Sequence, residues 1–261
     1  MNIETINRIL HDTAYIRVSG TEQELACARY LMGECEKLGF AARLEAFDVP
    51  MAAMKHASLT IDGREIPCKG YLCAGSGEIE APLVYVPEAN PCALSACKGK
   101  IVLLDGFLGY WKYQDLLSSG AAGFITYDGN ANYADEDIDQ RELRSYVSKG
   151  VKIPGVNINA KSAIELVRSG AQTARIILEQ DEFTGQSHNV VCDLPGETDE
   201  WIVLTAHYDS RPLSAGAYDN MSGCIGLLGV AQALAEKPRR SHSPIRYRAQ
   251  ASSCSVPLTR I

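Results

Sequence analysis

Three residues in the stretch WIVLTAHYDSRPLSAGAYDNMSG (201–223), His207, Asp209 and Asp219, have side chains and a spacing suited to holding metal ions. His207 follows the apolar or small run 202–206. Such a run reads as a buried strand, and the reactive groups of open α/β sheets sit just beyond the carboxyl ends of their strands. Asp209, two residues on, points to the same side as His207 and can accept the imidazole N–H that is not used for metal. That contact fixes the tautomer and raises the basicity of the ligating nitrogen. Asp219 lies in the Gly-punctuated loop GAYDNMSG and can bridge two cations. The bland alternatives are a satisfied core histidine at 207, a turn aspartate at 209 and a helix N-cap at 219. Asn220 and Ser222 already offer capping oxygens, so a third cap at Asp219 is redundant.

The elements that must position these groups are two strands and a helix. HNVVCDLPG (188–196) and WIVLTAHYD (201–209) read as strands, and MSGCIGLLGVAQALAEK (221–237) as a helix with Ile225, Leu228, Ala231 and Leu234 on one face. Continuous apolar strands beside helices predict an α/β sheet buried on both faces. The amino terminus predicts a helix from the stripe Ile3, Ile6, Ile9 and Leu10. A second helix opens on a Thr21/Glu24 capping box and stops at Gly39, and FAARLEAFDV (40–49) then alternates as a strand. Between about 50 and 185 the texture changes to short β runs, with helix-like stretches at 110–117 and 161–169. The predicted class is therefore α/β: a mixed sheet flanked by helices, interrupted by a small β-rich domain. The expected divisions are 1–48, 49–185, 186–236 and a basic tail, 237–261.

The 261 residues carry a net charge of −7, which argues against a nucleic-acid partner because phosphate binding needs a basic face. No apolar run approaches the roughly 18 residues of a membrane span, and MNIETINRILHDTAY lacks the pattern of a signal peptide, so a cytoplasmic protein is expected. The nine cysteines are odd in number. Cys68/Cys73 and Cys92/Cys97 share a C-x4-C spacing without histidines nearby, so all are read as buried or free thiols. The acidic run YADEDIDQRE (133–142) lacks the glycine and terminal glutamate of a calcium loop and is read as a solvated surface segment.

Residues 186–237 resemble the zinc exopeptidase family of bacterial leucyl-type aminopeptidases and glutamate carboxypeptidases. The resemblance rests on the strand ending in AHYDS, the loop GAYDNMSG and the helix rich in small and apolar residues. It extends to RVSGT (17–21), the helix to Gly39 and the strand into Phe47. The interrupting segment resembles a protease-associated domain in CKGKIVLLDG (97–106) and SSGAAGFITYDG (118–129). The resemblance implies a two-zinc hydrolase acting on peptide or aminoacyl substrates, with His207 ligating one zinc, Asp219 bridging both and Asp209 orienting His207. It further implies a cis peptide between Asp219 and Asn220, and a glutamate general base in a Glu-Glu pair on the strand after the 221–237 helix.

That pair is absent. The tail 237–261 holds six Lys or Arg, three prolines and no acidic residue, and shows no sustained period. It is read either as a basic disordered segment for an anionic partner or, preferably, as the product of a reading-frame slip near residue 240. On that reading the sheet keeps an unpaired edge, the chain alone does not hold two zinc ions, and it is inactive as a peptidase. A glutaminyl-cyclase-like transferase and a non-catalytic binding module built on the protease-associated segment are the alternatives. Neither substrate preference nor oligomeric state is legible.

Overall fold

The computed structural model describes residues 1–128, 138–236 and 243–251. In chain order its elements are α1 (Ile3–Asp12), α2 (Glu22–Lys37), β1 (Ala42–Ile61), β2 (Arg64–Ile66), β3 (Lys69–Gly70), β4 (Gly77–Val86), α3 (Pro91–Leu94), β5 (Ile101–Leu104) and α4 (Tyr110–Ser118). These are followed by β6 (Gly123–Asp128), α5 (Ser145–Ser148), β7 (Gly155–Asn159), α6 (Ala160–Ser169), β8 (Thr173–Leu194), β9 (Ile202–His207), α7 (Ser222–Ala235) and β10 (Ile245–Gln250). The chain forms two compact units, Met1–Val49 with Thr184–Ile261, and Pro50–Phe183. Strands β1 and β8 carry the chain from one unit to the other.

In the first unit β10 lies between β8 and β9. It runs antiparallel to β8, with Ile245 opposite Leu194 and Ala249 opposite Val190, and parallel to β9, with Ile245 opposite Ile202 and Gln250 opposite His207. This corrects the reading of 237–261 as a tail without structure. Ile245, Tyr247 and Ala249 alternate with Arg246, Arg248 and Gln250 at the period of a strand. The prolines and arginines around them had masked that pattern. Residues 237–242 and 252–261 lie outside the described residues.

Helices α1, α2 and α7 and the strands share one apolar cluster that includes Ile9, Leu31, Val190, Cys192, Leu228 and Tyr247. Tyr247 is 3% exposed and meets Phe40 edge-to-face at 6.0 Å. The expectation that β9 is buried on both faces is not met. Ile202 is 48% exposed, and among the described residues β9 pairs with β10 alone. Thr21 caps α2 through its hydroxyl as expected, accepting from the Glu24 N–H at 3.3 Å. The reciprocal half of the capping box is replaced: the Thr21 N–H goes to the Val18 carbonyl at 3.1 Å. The buried Glu24 carboxylate instead accepts from the Tyr208 hydroxyl and from the His188 N–H at 3.2 Å.

A buried arginine ties the amino-terminal loop to the loop after β9. The Arg17 guanidinium is 0% exposed and spends its donors on backbone carbonyls: Thr13 at 2.8 Å, Tyr15 at 3.1 Å, Gly216 at 2.9 Å, and those of Tyr208 and Ala215. Its own backbone exchanges two further bonds with Ser210, N–H to Oγ at 2.9 Å and carbonyl to N–H at 3.2 Å. A guanidinium with five donors in a fixed fork is the one side chain that can satisfy this many converging carbonyls at once.

In the second unit β4, β5, β6 and β7 are parallel neighbours, flanked by β3 antiparallel to β7 and by β8 antiparallel to β4. The strand period sorts the residues into two clusters. Val102, Leu104 and Phe124 pack with Leu94, Leu116 and Val147 of α3, α4 and α5. Ile101, Leu103 and Ile125 pack with Ala163 and Leu166 of α6. Both faces are thus covered, and the segment carries more helix than its β-rich texture suggests. At Gly155 a side chain would collide with the Phe124 ring, so the close approach of β7 to β6 requires glycine. Of the acidic run 133–142, residues 133–137 lie outside the described residues. Ile138 is buried and Glu142 bridges to Leu72, so this end packs instead of facing solvent.

Two stability predictions follow from these contacts. Tyr247→Ala removes a buried ring and is expected to cost about 3 kcal/mol or more in urea unfolding, whereas Ile3→Ala, at a residue 66% exposed, should change stability by less than about 0.5 kcal/mol. Equal effects would show that β10 is not part of the packed sheet. Arg17→Met strands several buried carbonyls and is expected to cost about 3–5 kcal/mol, with Arg17→Lys intermediate because it restores charge and fewer donors. A neutral Arg17→Met in the same assay would remove the proposed tie.

Candidate metal centre

His207 is the last residue of β9, and the loop that follows folds back over it. The imidazole is held from both ends: Nδ1 lies 3.1 Å from Asp209 Oδ1 and Nε2 lies 2.8 Å from Asp219 Oδ1. The two carboxylates differ in setting. The Asp209 side chain is 7% exposed and that of Asp219 is 82% exposed, with His207 at 30% between them. The hydrogen bond to Asp209, aided by the charges of both carboxylates and opposed by partial burial, raises the imidazole above its ordinary value. The structure therefore brings together all three residues singled out by their spacing.

The loop geometry explains why the sequence needs its glycines here. Gly216 adopts φ 60°, in the left-handed region, and a Cβ there would lie 2.9 Å from the Ser210 Cβ and 3.0 Å from Arg17 Nη2. A single wide turn over Ala217–Met221 then presents Asp219, with a cis peptide between Asp219 and Asn220. Asn220 Oδ1 accepts from the Gly223 N–H at 3.2 Å at the start of α7, while the Ser222 hydroxyl donates to the Tyr218 carbonyl at 2.7 Å. Asn220 thus takes a capping role, and the Asp219 carboxylate faces His207.

Beneath this surface lies a supporting layer. The buried Tyr208 hydroxyl lies against both the Glu24 carboxylate and the His188 carbonyl, the latter at 2.8 Å, which share its single proton. Burial and the Glu24 charge push the phenol upward, so it stays a donor. The Tyr208 N–H donates to the Gln250 carbonyl at 2.9 Å, which anchors the end of β9 to β10. Arg17 and Gln250 are the residues that sequence reasoning missed as parts of this centre. Arg17 had appeared only within RVSGT, and the alternation of 245–250 was the available signal for Gln250.

As a donor set for zinc, the centre is partial. His207 Nε2 and Asp219 Oδ1 lie 2.8 Å apart, and His207 carries the carboxylate partner typical of zinc-ligating histidines. A zinc site takes about three or four protein ligands. Among the described residues no group of three or more His, Cys, Asp or Glu side chains is disposed to hold a metal ion. The residues present fit one edge of such a site.

Comparison with known proteins bears on what that edge belongs to. The chain is 26% identical over 243 residues to aminopeptidase YwaD of Bacillus subtilis, a match spanning 88% of this chain and 50% of that protein. It is 26% identical over 242 residues to a probable leucine aminopeptidase 2 of Aspergillus fumigatus, spanning 86% of this chain and 47% of that protein. The chain therefore spans about half the length of the curated relatives it matches. In fold it is similar to BSAP, a zinc aminopeptidase from Bacillus subtilis, with a TM-score of 0.69 and 25% identity over 94% of this chain and 59% of that one. The mixed α/β architecture is thus that of the aminopeptidases. A match to the description "Peptidase family M28" covers residues 189–249, taking in β9, the His207–Asp219 loop, α7 and nearly all of β10, and so continuing past residue 240. Through that segment, the chain resembles peptidase family M28.

Proposed function

We propose that this chain contributes to a zinc-dependent aminopeptidase, in which His207 and Asp219 ligate metal and Asp209 holds the imidazole in the ligating orientation. One observation carries the reading: His207 Nδ1 is engaged by a buried carboxylate while Nε2 is left facing an exposed one, 2.8 Å away. That is the disposition of a ligand histidine with its orienting partner. Zinc, when bound, supplies Lewis acidity and lowers the pKa of its water. The part of this chain's residues is to fix the ligating nitrogen, to hold the bridging carboxylate on a loop fastened by Arg17, and to keep the imidazole tautomer constant through Asp209. The substrate class is a peptide or aminoacyl compound. An acidic protein of this charge is a poor partner for nucleic acid.

Pro50–Phe183 is proposed to be a protease-associated-type segment, on the resemblance of its 97–106 and 118–129 stretches. Among the described residues no helix is long and apolar enough to cross a membrane. The cytoplasm is the proposed compartment. A pure binding module is not favoured, because it has no use for a histidine and two carboxylates in this arrangement.

With two donors in place among the described residues, the chain by itself is expected to bind zinc weakly and not to cleave an aminoacyl p-nitroanilide. Zinc titration against a chromophoric chelator, with circular dichroism to follow the fold, tests this. His207→Ala and Asp219→Asn should each abolish the binding that the unaltered chain shows. Asp209→Asn should weaken it about 10–100-fold, all with unchanged spectra. Zinc binding that is indifferent to all three substitutions would sink the metal assignment. Tight stoichiometric zinc together with cleavage by the chain alone would show that the described ligands are a sufficient set.

A further inference from the structure

Away from the metal centre, the two sulfurs of Cys35 and Cys192 face each other 3.0 Å apart inside the first unit. Cys35 lies in the last turn of α2 and Cys192 on β8, and their side chains belong to the same apolar cluster. They are 157 positions apart in the chain, so no local turn forces the meeting. A disulfide bond is about 2.05 Å long, so closure asks the sulfurs to approach by about 1 Å. Room for that exists: an apolar cavity of about 20 Å³ is lined by both cysteines together with Leu31, Cys224, Leu228 and Tyr247.

We infer that Cys35 and Cys192 form a dithiol that a low-molecular-weight disulfide converts into an intramolecular cross-link between α2 and β8. The contact with Cys192 and then burial push the Cys35 thiol up. The same contact, with the proton on Cys35, pulls Cys192 down against its burial, so Cys192 ionises first. The Cys192 thiolate attacks one sulfur of the oxidant, whose disulfide bond breaks and releases one small thiolate. The Cys35 thiolate, its proton passed to solvent, then attacks Cys192 Sγ in the mixed disulfide and expels the second. One disulfide is reduced to two thiols and one protein disulfide forms, so electrons and protons balance. Access is through fraying of the last turn of α2, two residues from whose end Cys35 sits.

The test uses the reduced full chain, incubated in its folded state with oxidised glutathione. Remaining thiols are alkylated, and the protein is digested with trypsin and an Asp-specific protease without reduction. Tyr30–Lys37, containing Cys35, and Asp181–Cys192 are expected to leave as one linked peptide, lighter than their sum by two hydrogens. Cys27 and Cys224 fall in other peptides and should be recovered alkylated. The link closes a long loop, so the thermal midpoint should rise by about 5 °C or more over the reduced chain, and the rise should vanish in both Cys35→Ala and Cys192→Ala. The inference is overturned if Cys35 and Cys192 are both recovered alkylated under conditions that glutathionylate the exposed Cys92, or if either links to another cysteine. The peptide map on the unaltered chain decides even if a variant fails to fold.

Discussion

The centre depends on one buried guanidinium that is bonded to backbone carbonyls. Arg17 places a charge with no exposure among the carbonyls of two segments nearly 200 residues apart, and each bond of the guanidinium reaches a backbone oxygen. Burying a charge is costly unless its hydrogen bonds are met, so the arrangement is stable only while both segments stay in place. The loop from Tyr208 to Gly216 is therefore held by its main chain, and its side chains are left for other work. Gly216 is forced by the same tie, since any Cβ there would press on the guanidinium.

What the tie supports is an asymmetric pair of carboxylates around a single imidazole. Asp209 is enclosed and Asp219 is open to solvent, so the two differ in setting although both contact His207. The parallel pairing of β9 with β10, ending at His207 opposite Gln250, gives the imidazole a rigid strand to stand on. Supporting strands of this kind hold a ligand within the tolerance that metal binding demands.

Much of this was legible along the chain. The helical stripe at 3–10, the Thr21 cap, the helix stop near Gly39 and the helix after Asp219 all follow from interactions between residues a few positions apart, and local spacing reports those directly. The spacing of His207, Asp209 and Asp219 likewise anticipated that the three side chains meet. The strand at 245–250 was less legible, because its alternation spans six residues set among prolines and arginines. Glu24 was read as half of a capping box. Its side chain is buried, and there it accepts from the Tyr208 hydroxyl, while the Thr21 N–H is satisfied by the Val18 carbonyl.

The sequence by itself thus determined which three side chains gather at the centre, the helices beside it and the interruption of one α/β unit by a second segment, though not that segment's helix content. Only the tertiary structure decided which strand lies beside β9, why Arg17 is an arginine, and that Cys35 meets Cys192. The physical reason is one of range. Caps, turns and periodicities are energies between near neighbours and leave a pattern in the order of residues. A carbonyl cluster around a guanidinium, or two sulfurs in contact across 157 positions, exists only once the chain has packed.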